Sequence, residues 1–280
     1  MNKPNKLLSF FAKPPFVAGH IRRVSSILRG EQIAAHMQNA RLNPTSGYEN
    51  DICIYVKPHV KPGHDFNFEG RPYLDMVDGW GLQHLLDKHP EVPAIVFSDI
   101  DVQTMSGLVK NKIVCIPHQH INFERDYGSM GRDGIRNVGI IGSPVAFQMV
   151  PDEIRHGLAN RNIQLVENSN MFPRMSVVGF YKRMDVMLVW RPYNEYRPGL
   201  YNPFKIVNAS AFGIPSIALD EPAFKEMEGC YLPVKTVDEF FKKLDALRSS
   251  PSLYGDMSKI CLEKSERYHI DNICKLYNEL

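Results

Sequence analysis

Short apolar runs alternate with stretches of helical periodicity along most of the chain. Lys6 to Ala12 reads as a strand and ends in the loop Pro14-Pro15-Phe16-Val17-Ala18-Gly19-His20. From Arg22 to Arg41, Ile27, Ile33, Ala34 and Met37 fall on one helical stripe. Asp51 to Val56 is a second strand, stopped by Lys57-Pro58. The pattern then predicts a short strand over Tyr73 to Val77, a helix over Trp80 to Lys88, a strand over Ala94 to Phe97 and a helix over Val102 to Val109. Ile113 to Pro117 closes this half as a further strand.

Between Gln119 and Arg136 the sequence turns polar and carries Gly128, Gly131 and Gly134, as an inter-domain connection does. The alternation then restarts. Asn137 to Ser143 is a strand running into a glycine turn, with a helix near Asp152 to Asn160 and a strand over Ile163 to Val166. Ser176 to Arg183 is helical and Asp185 to Trp190 extended; Lys205 to Phe212 is a helix and Ser216 to Leu219 a strand. Thr236-Val237-Asp238-Glu239 fits a capping box, ahead of apolar positions at helical spacing through Leu247. Leu253 to Leu280 is helical with an interruption near His269.

Strand and helix alternating in both halves imply parallel sheets covered by helices on both faces. The fold expected is α/β, two Rossmann-like domains facing a cleft, over 1–125 and 126–265, with 266–280 left over. Sheets of this kind bind ligands at the carboxyl ends of their strands, so the loops after the strands are where chemistry belongs.

Composition narrows the function classes. The chain has 280 residues, 44% of them hydrophobic, enough for two cores of ordinary size. Lys plus Arg number 33 against 31 Asp plus Glu, so the strong positive field of an obligate nucleic-acid binder is missing. Cys53, Cys115, Cys230, Cys261 and Cys274 are odd in number and lie at no metal-ligand spacing. No apolar run approaches the roughly 18 residues of a membrane span. A reduced, cytoplasmic protein is expected.

The order of features from Val177 onward resembles the donor-binding half of GT-B glycosyltransferases. Phe180-Tyr181-Lys182-Arg183-Met184-Asp185-Val186 is similar to that family's "tyrosine, two residues, Met/Ala-Asp-Val" passage. The block Lys205-Ile206-Val207-Asn208-Ala209-Ser210-Ala211-Phe212-Gly213-Ile214-Pro215-Ser216-Ile217-Ala218 resembles its "Lys-Leu-x-Glu-Ala-x-Ala-x-Gly-x-Pro-x-Val-Ala" motif. In the first half, Ala94 to Ser98 and Ile113 to His118 resemble its strands leading into the second domain. The resemblance also implies that the C-terminal helix, 266–280, crosses back to the N-terminal domain.

The block makes physical sense on its own. A helix opening at Lys205-Ile206 offers unpaired N–H groups to an anion, and Lys205 adds a full charge beside a diphosphate. Asn208, on the same face, is placed to reach sugar or ribose hydroxyls. Ala209, Ala211 and Gly213 are small enough to let the helix press on the sheet. Asn208 stands where many retaining members carry the second Glu of a Glu-x7-Glu pattern, and Leu200 where they carry the first. Donor sugar and anomeric outcome stay open.

Other candidates sit in strand-end loops. Arg191 is placed to neutralise a leaving diphosphate, or is a solvated surface charge; Gly142-Ser143 lets backbone amides approach phosphate or forms a plain β-turn, and Gly19 is a further phosphate-binding candidate. His20, which some inverting members use as general base, has the right chemistry; the bland alternative is a loop histidine. Asp78 is a second candidate base, or a helix N-cap. Asp99-Ile100-Asp101 is compatible with a divalent-metal motif, or Asp99 caps the following helix; no cofactor is otherwise required. His118 and His120 fit the domain connection better than chemistry.

The activity expected is sugar transfer from a nucleotide-diphosphate sugar to a hydroxyl acceptor, a glycan, a lipid-linked carrier or a small molecule, with a modified DNA base as a minority alternative. A nucleotide-sugar epimerase of the same fold and a catalytically silent nucleotide-sugar-binding protein are the competing readings.

Overall fold

A computed structural model describes residues 6–17, 20, 21, 23–77, 80–127, 134–191 and 202–280, with His20, Ile21 and Trp80 described by their backbone. The chain divides into two compact units. Met1–Gln119 and Ile270–Leu280 belong to the first, His120–Tyr196 and Pro203–His269 to the second.

In the first unit β1 (Leu8–Ala12) leads into a small antiparallel hairpin of β2 (Phe16–Val17) and β3 (His20–Ile21). A π-helical turn (Ser26–Glu31) runs into α1 (Gln32–His36), then β4 (Ala40–Leu42), β5 (Ile52–Val56) and β6 (Arg71–Asp75). A 3-10 turn and α2 (Gln83–Lys88), β7 (Ala94–Val96), α3 (Asp99–Ser106) and β8 (Ile113–Cys115) complete it. The six-stranded sheet has the order β4-β1-β5-β6-β7-β8, all parallel. β5 is buried at every position, which is why its sequence is a continuous apolar run.

Several elements differ from the periodicity, the β2–β3 hairpin in a segment read as a loop among them. The helix expected over Arg22 to Arg41 ends at His36, and Met37 turns extended so that Ala40–Leu42 can pair with β1 at the sheet edge. Asn43 fixes that edge: at φ 47° its amide bridges the N–H and C=O of Ala12, both at 2.9 Å. The helix expected from Val102 begins at Asp99, because Ser98 Oγ caps it by accepting from the Asp101 N–H. The strand expected over Tyr73 to Val77 lies at Arg71–Asp75, in register with β5.

The second unit runs β9 (Asn137–Ile141), α4 (Pro144–Gln148), α5 (Asp152–Ala159), β10 (Gln164–Asn168), α6 (Arg174–Tyr181) and β11 (Val186–Val189). It continues with α7 (Phe204–Ser210), β12 (Ser216–Leu219), a 3-10 turn (Pro222–Met227), β13 (Tyr231–Val234), α8 (Val237–Ser249) and α9 (Pro251–Ser265). The parallel order is β10-β9-β11-β12-β13. Alternation along the strands divides the core into two layers. Val138, Ile140, Val186 and Leu188 face Ile154, Leu158, Phe240 and Leu244, whereas Ile141 and Met187 face Val177, Tyr181, Ala209 and Phe212.

The second unit starts at His120 because three bonds tie the chain there. The His120 N–H donates to the Tyr268 carbonyl at 2.9 Å, the Ile121 N–H to Asn208 Oδ1 at 2.9 Å, and Asn122 Nδ2 to the Ala211 carbonyl at 2.7 Å. After a 3-10 turn at Glu266–Tyr268 comes α10 (Ile270–Asn278), which belongs with the first unit: the Tyr277 ring meets Phe10 edge-on at 5.2 Å. Among the described residues no helix is long and apolar enough to cross a membrane.

Candidate functional site

The topology of the second unit singles out one place. The chain moves from β9 outward to β10, then returns to the other side of β9 for β11 and onward to β12 and β13. The carboxyl ends of β9 and β11 therefore flank the point where strand order reverses, where helices diverge and leave a crevice. Gly142 follows β9, Arg191 follows β11 and Glu221 follows β12 by two residues.

Lys205 enters the same place from the first turn of α7. Its Nζ lies 3.5 Å from where a Cβ on Gly142 would stand, so the ammonium reaches across to the turn after β9 and the glycine leaves it room. Among the described residues Lys205 has no hydrogen-bond or ion-pair partner. Desolvation, followed by the charge of Arg191, lowers its pKa to about 8 against the smaller opposing pull of Glu221.

Arg191 and Glu221 form a bidentate pair. Arg191 Nη2 contacts Glu221 Oε1 at 2.5 Å and Oε2 at 2.8 Å, with Nε 3.3 Å from Oε2. The guanidinium side chain is 42% exposed while the carboxylate is 1% exposed, so the pair presents the arginine outward on a buried anchor. With Arg191 neutralised by Glu221, Lys205 carries the net positive charge of the cluster.

The end of α7 is set by its small residues. Gly213 takes φ 67°, its N–H bonds the Ser210 carbonyl at 2.9 Å, and the Ile214 N–H bonds the Ala209 carbonyl at 3.1 Å. This Schellman closure turns the chain into β12.

The remaining candidates fall into place differently. Asn208 is 4% exposed, and its Oδ1 accepts the Ile121 N–H; the side chain holds the start of the second unit instead of offering this oxygen to a sugar. Ile206 points its side chain into the core at 0% exposure, so it has only backbone to offer a ligand. Ser143 is exposed and precedes α4 without a side-chain capping bond. Gly19 and Asp78 lie outside the described residues, and His20 is described by its backbone in β3. Asp99 is exposed and Asp101 buried in the first turn of α3, where Ser98, not Asp99, is the cap. Among the described residues no three His, Cys, Asp or Glu side chains gather as a metal site.

His118 and His120 are buried. Burial and the Arg29 charge push His118 well below its ordinary value, with its ring stacked on Phe97 at 4.9 Å. Burial and His269 push His120 down to about 3.

Glu221 is the participant that periodicity did not reveal. Its signal was an acid two residues beyond a parallel strand, in Asp220-Glu221-Pro222.

No protein-family model matches the sequence. Over 117 residues the chain is 29% identical to a Haemophilus influenzae protein described as an uncharacterized glycosyltransferase, a stretch covering 40% of this chain and 32% of that relative. Anabaena HepE, solved in complex with UDP, superposes with a TM-score of 0.59 at 10% identity over 98% of both chains. The pneumococcal O-GlcNAc transferase GtfA, solved with UDP and GlcNAc, gives 0.52 at 13% identity over 82% of this chain. The chain spans 56% of that transferase's length. At these identities the likeness concerns the fold, which is that of the GT-B glycosyltransferases: two Rossmann-like α/β units and a parallel sheet in each.

Proposed function

We propose that the chain is a glycosyltransferase that holds the diphosphate of a nucleotide-diphosphate sugar at the carboxyl ends of β9, β11 and β12 and passes the sugar to a hydroxyl acceptor. The observation that carries this reading is the ammonium of Lys205 over Gly142 at the strand-order reversal, without a hydrogen-bond or ion-pair partner among the described residues. A desolvated cation that no carboxylate among the described residues contacts is costly, and a bound diphosphate offsets that cost. Arg191, anchored by Glu221, adds directional N–H donors for the same group. Developing negative charge on the leaving diphosphate would be met by both cations without reorganisation.

The glycosyltransferase name of the Haemophilus influenzae relative and the UDP-bound state of HepE and GtfA support the choice of ligand. His20 and Asp78 remain the candidate bases for deprotonating an acceptor, each in a segment after a strand of the first unit. A divalent ion at Asp99 and Asp101 has less support, since one carboxylate faces solvent and the other is buried.

Calorimetry with UDP tests the reading. Native protein should bind it and Lys205→Ala should lose about tenfold or more in affinity; an unchanged affinity sinks the assignment. Asn208 in place of an acid, with its carbonyl already bonded, favours the silent binding protein as second reading. Turnover of donor with any acceptor excludes it.

A further inference from the structure

Cys230 and Cys261 are the cysteines of the second unit, and both are free and fully buried. Cys230 stands immediately before β13 and Cys261 in the second half of α9, 31 positions on, with α8 between them.

The packing of α9 over the start of β13 brings them together. Cys261 Sγ lies 3.7 Å from the Cys230 carbonyl oxygen and 3.8 Å from that of Ile214. Cys230 Sγ lies 3.8 Å from the carbonyl oxygen of Ile260, the residue next to Cys261. Each sulfur reaches the other's stretch of backbone, so both thiols occupy one seam. Gly229 permits the close approach: it takes φ 87°, and a Cβ there would stand 3.1 Å from Ile260 Cγ2.

The seam lies one layer beneath the surface. Ile260, which packs on Gly229, is 37% exposed, so a small oxidant has a short way in. The two thiols also differ in acidity. Its hydrogen bond with Cys261, with smaller help from the Lys264 charge, holds the Cys230 thiol below its ordinary value in spite of burial. The same bond, followed by burial, pushes Cys261 well above. The thiolate is the nucleophile in thiol oxidation, which makes Cys230 the attacking group and Cys261 the resolving one.

We propose that Cys230 and Cys261 are a peroxide-sensitive dithiol, a modification site that closes to a disulfide and locks α9 to β13. The oxidant is hydrogen peroxide. The Cys230 thiolate attacks one peroxide oxygen, the O–O bond breaks, and the departing hydroxide takes up the thiol proton as water, leaving Cys230 as a sulfenic acid. The Cys261 sulfur then attacks the Cys230 sulfur, the S–O bond breaks, and the Cys261 proton leaves with the hydroxide as a second water. Two thiols thus lose two electrons and two protons, and one peroxide becomes two waters. The site stands on the second unit alone and is independent of the transferase reading, since it sits at the amino end of β13 and the donor residues follow the carboxyl ends of the strands.

The test treats the full native chain with hydrogen peroxide, removes the excess with catalase, alkylates with N-ethylmaleimide in denaturant and maps the peptides by mass spectrometry. A linked pair joining Cys230 to Cys261 should appear, about 2 Da lighter than the two thiol peptides together, and dithiothreitol should reverse it. The melting temperature of the oxidised chain should rise by about 5 °C, because the bond closes a loop in the unfolded chain. Cys261→Ala removes the resolving thiol, so peroxide should leave a sulfenic acid at Cys230 that dimedone traps; Cys230→Ala should give neither product.

The proposal is overturned if both cysteines are alkylated after peroxide treatment, or if the linked pair forms only in chain unfolded by guanidinium before oxidation. A linked pair without a rise in melting temperature overturns the lock. Mapping of the native chain needs no variant, so the proposal stays testable where an alanine variant fails to fold.

Discussion

Arg191 grips both oxygens of the Glu221 carboxylate, yet the two residues stand in opposite surroundings, the arginine half in solvent and the glutamate sealed. The pair is therefore asymmetric toward mutation. Arg191→Ala strands a buried carboxylate and should cost about 3 kcal/mol of stability. Glu221→Gln leaves a guanidinium that water can solvate and should cost only about 1 kcal/mol. Urea denaturation of both variants checks the order. Equal losses would mean the glutamate is hydrated.

Lys205 sets a pH dependence. With its pKa lowered to about 8, the ammonium is present below that pH and lost above it. UDP affinity should fall as pH rises through about 8 and the dependence should flatten in Lys205→Arg, whose guanidinium stays charged. Stability moves the opposite way. The unfolded chain holds this proton up to its ordinary range near 10.5 while the folded chain gives it up at about 8, so unliganded protein gains stability as pH climbs between the two. Melting temperatures across that window, with and without UDP, should show the two trends crossing.

Asn208→Ala should destabilise the second unit by about 1–3 kcal/mol, since it leaves the Ile121 N–H buried without its acceptor. UDP affinity measured on the folded variant should stay within about twofold. A large affinity loss at unchanged stability would return Asn208 to the ligand.

Arg29 is fully buried in the π-helical turn. It donates to Asp75 at 2.8 Å and to the carbonyls of Ile116 and Pro117 at 2.9 and 2.8 Å, and its guanidinium lies 5.0 Å from the Phe97 ring centre. Desolvation works against its charge, and Asp75, Tyr277 and Cys115 together outweigh it, so its pKa is raised. Arg29→Met should cost about 3–5 kcal/mol by removing the guanidinium that neutralises the buried Asp75. The double variant Arg29→Met/Asp75→Leu should recover much of that loss in chemical denaturation.

Gly213 should reject a side chain. At φ 67° any L-residue is strained, and a Cβ there would meet Ser258 Oγ at 2.7 Å. Gly213→Ala is expected to lower stability by about 1–2 kcal/mol. Thermal unfolding gives the answer directly.

Much of the fold could be read from periodicity, because a buried parallel strand must be apolar throughout and a covering helix must carry a stripe. β5, β9 and β12 and the capped start of α8 at Thr236 are such cases. β4, β13 and the helix start at Asp99 were missed: a three-residue edge strand has no period to show, and a serine cap overrides the apolar spacing behind it. In the site, Lys205 and Gly142 were visible as a cation and a small residue at strand-end positions. Glu221 and the true partner of Asn208 were not.

The sequence by itself determined the alternation, the glycine and alanine positions that let α7 close on its sheet, and the chemistry available in each loop, since these depend on neighbours a few residues away. Tertiary structure alone decided that Glu221 pairs with Arg191 and not with Lys205, and that Asn208 faces the Ile121 amide. Those outcomes turn on which strand lies beside which. Residues 30 or more positions apart in the chain become neighbours only when the order β9-β11-β12 is laid down.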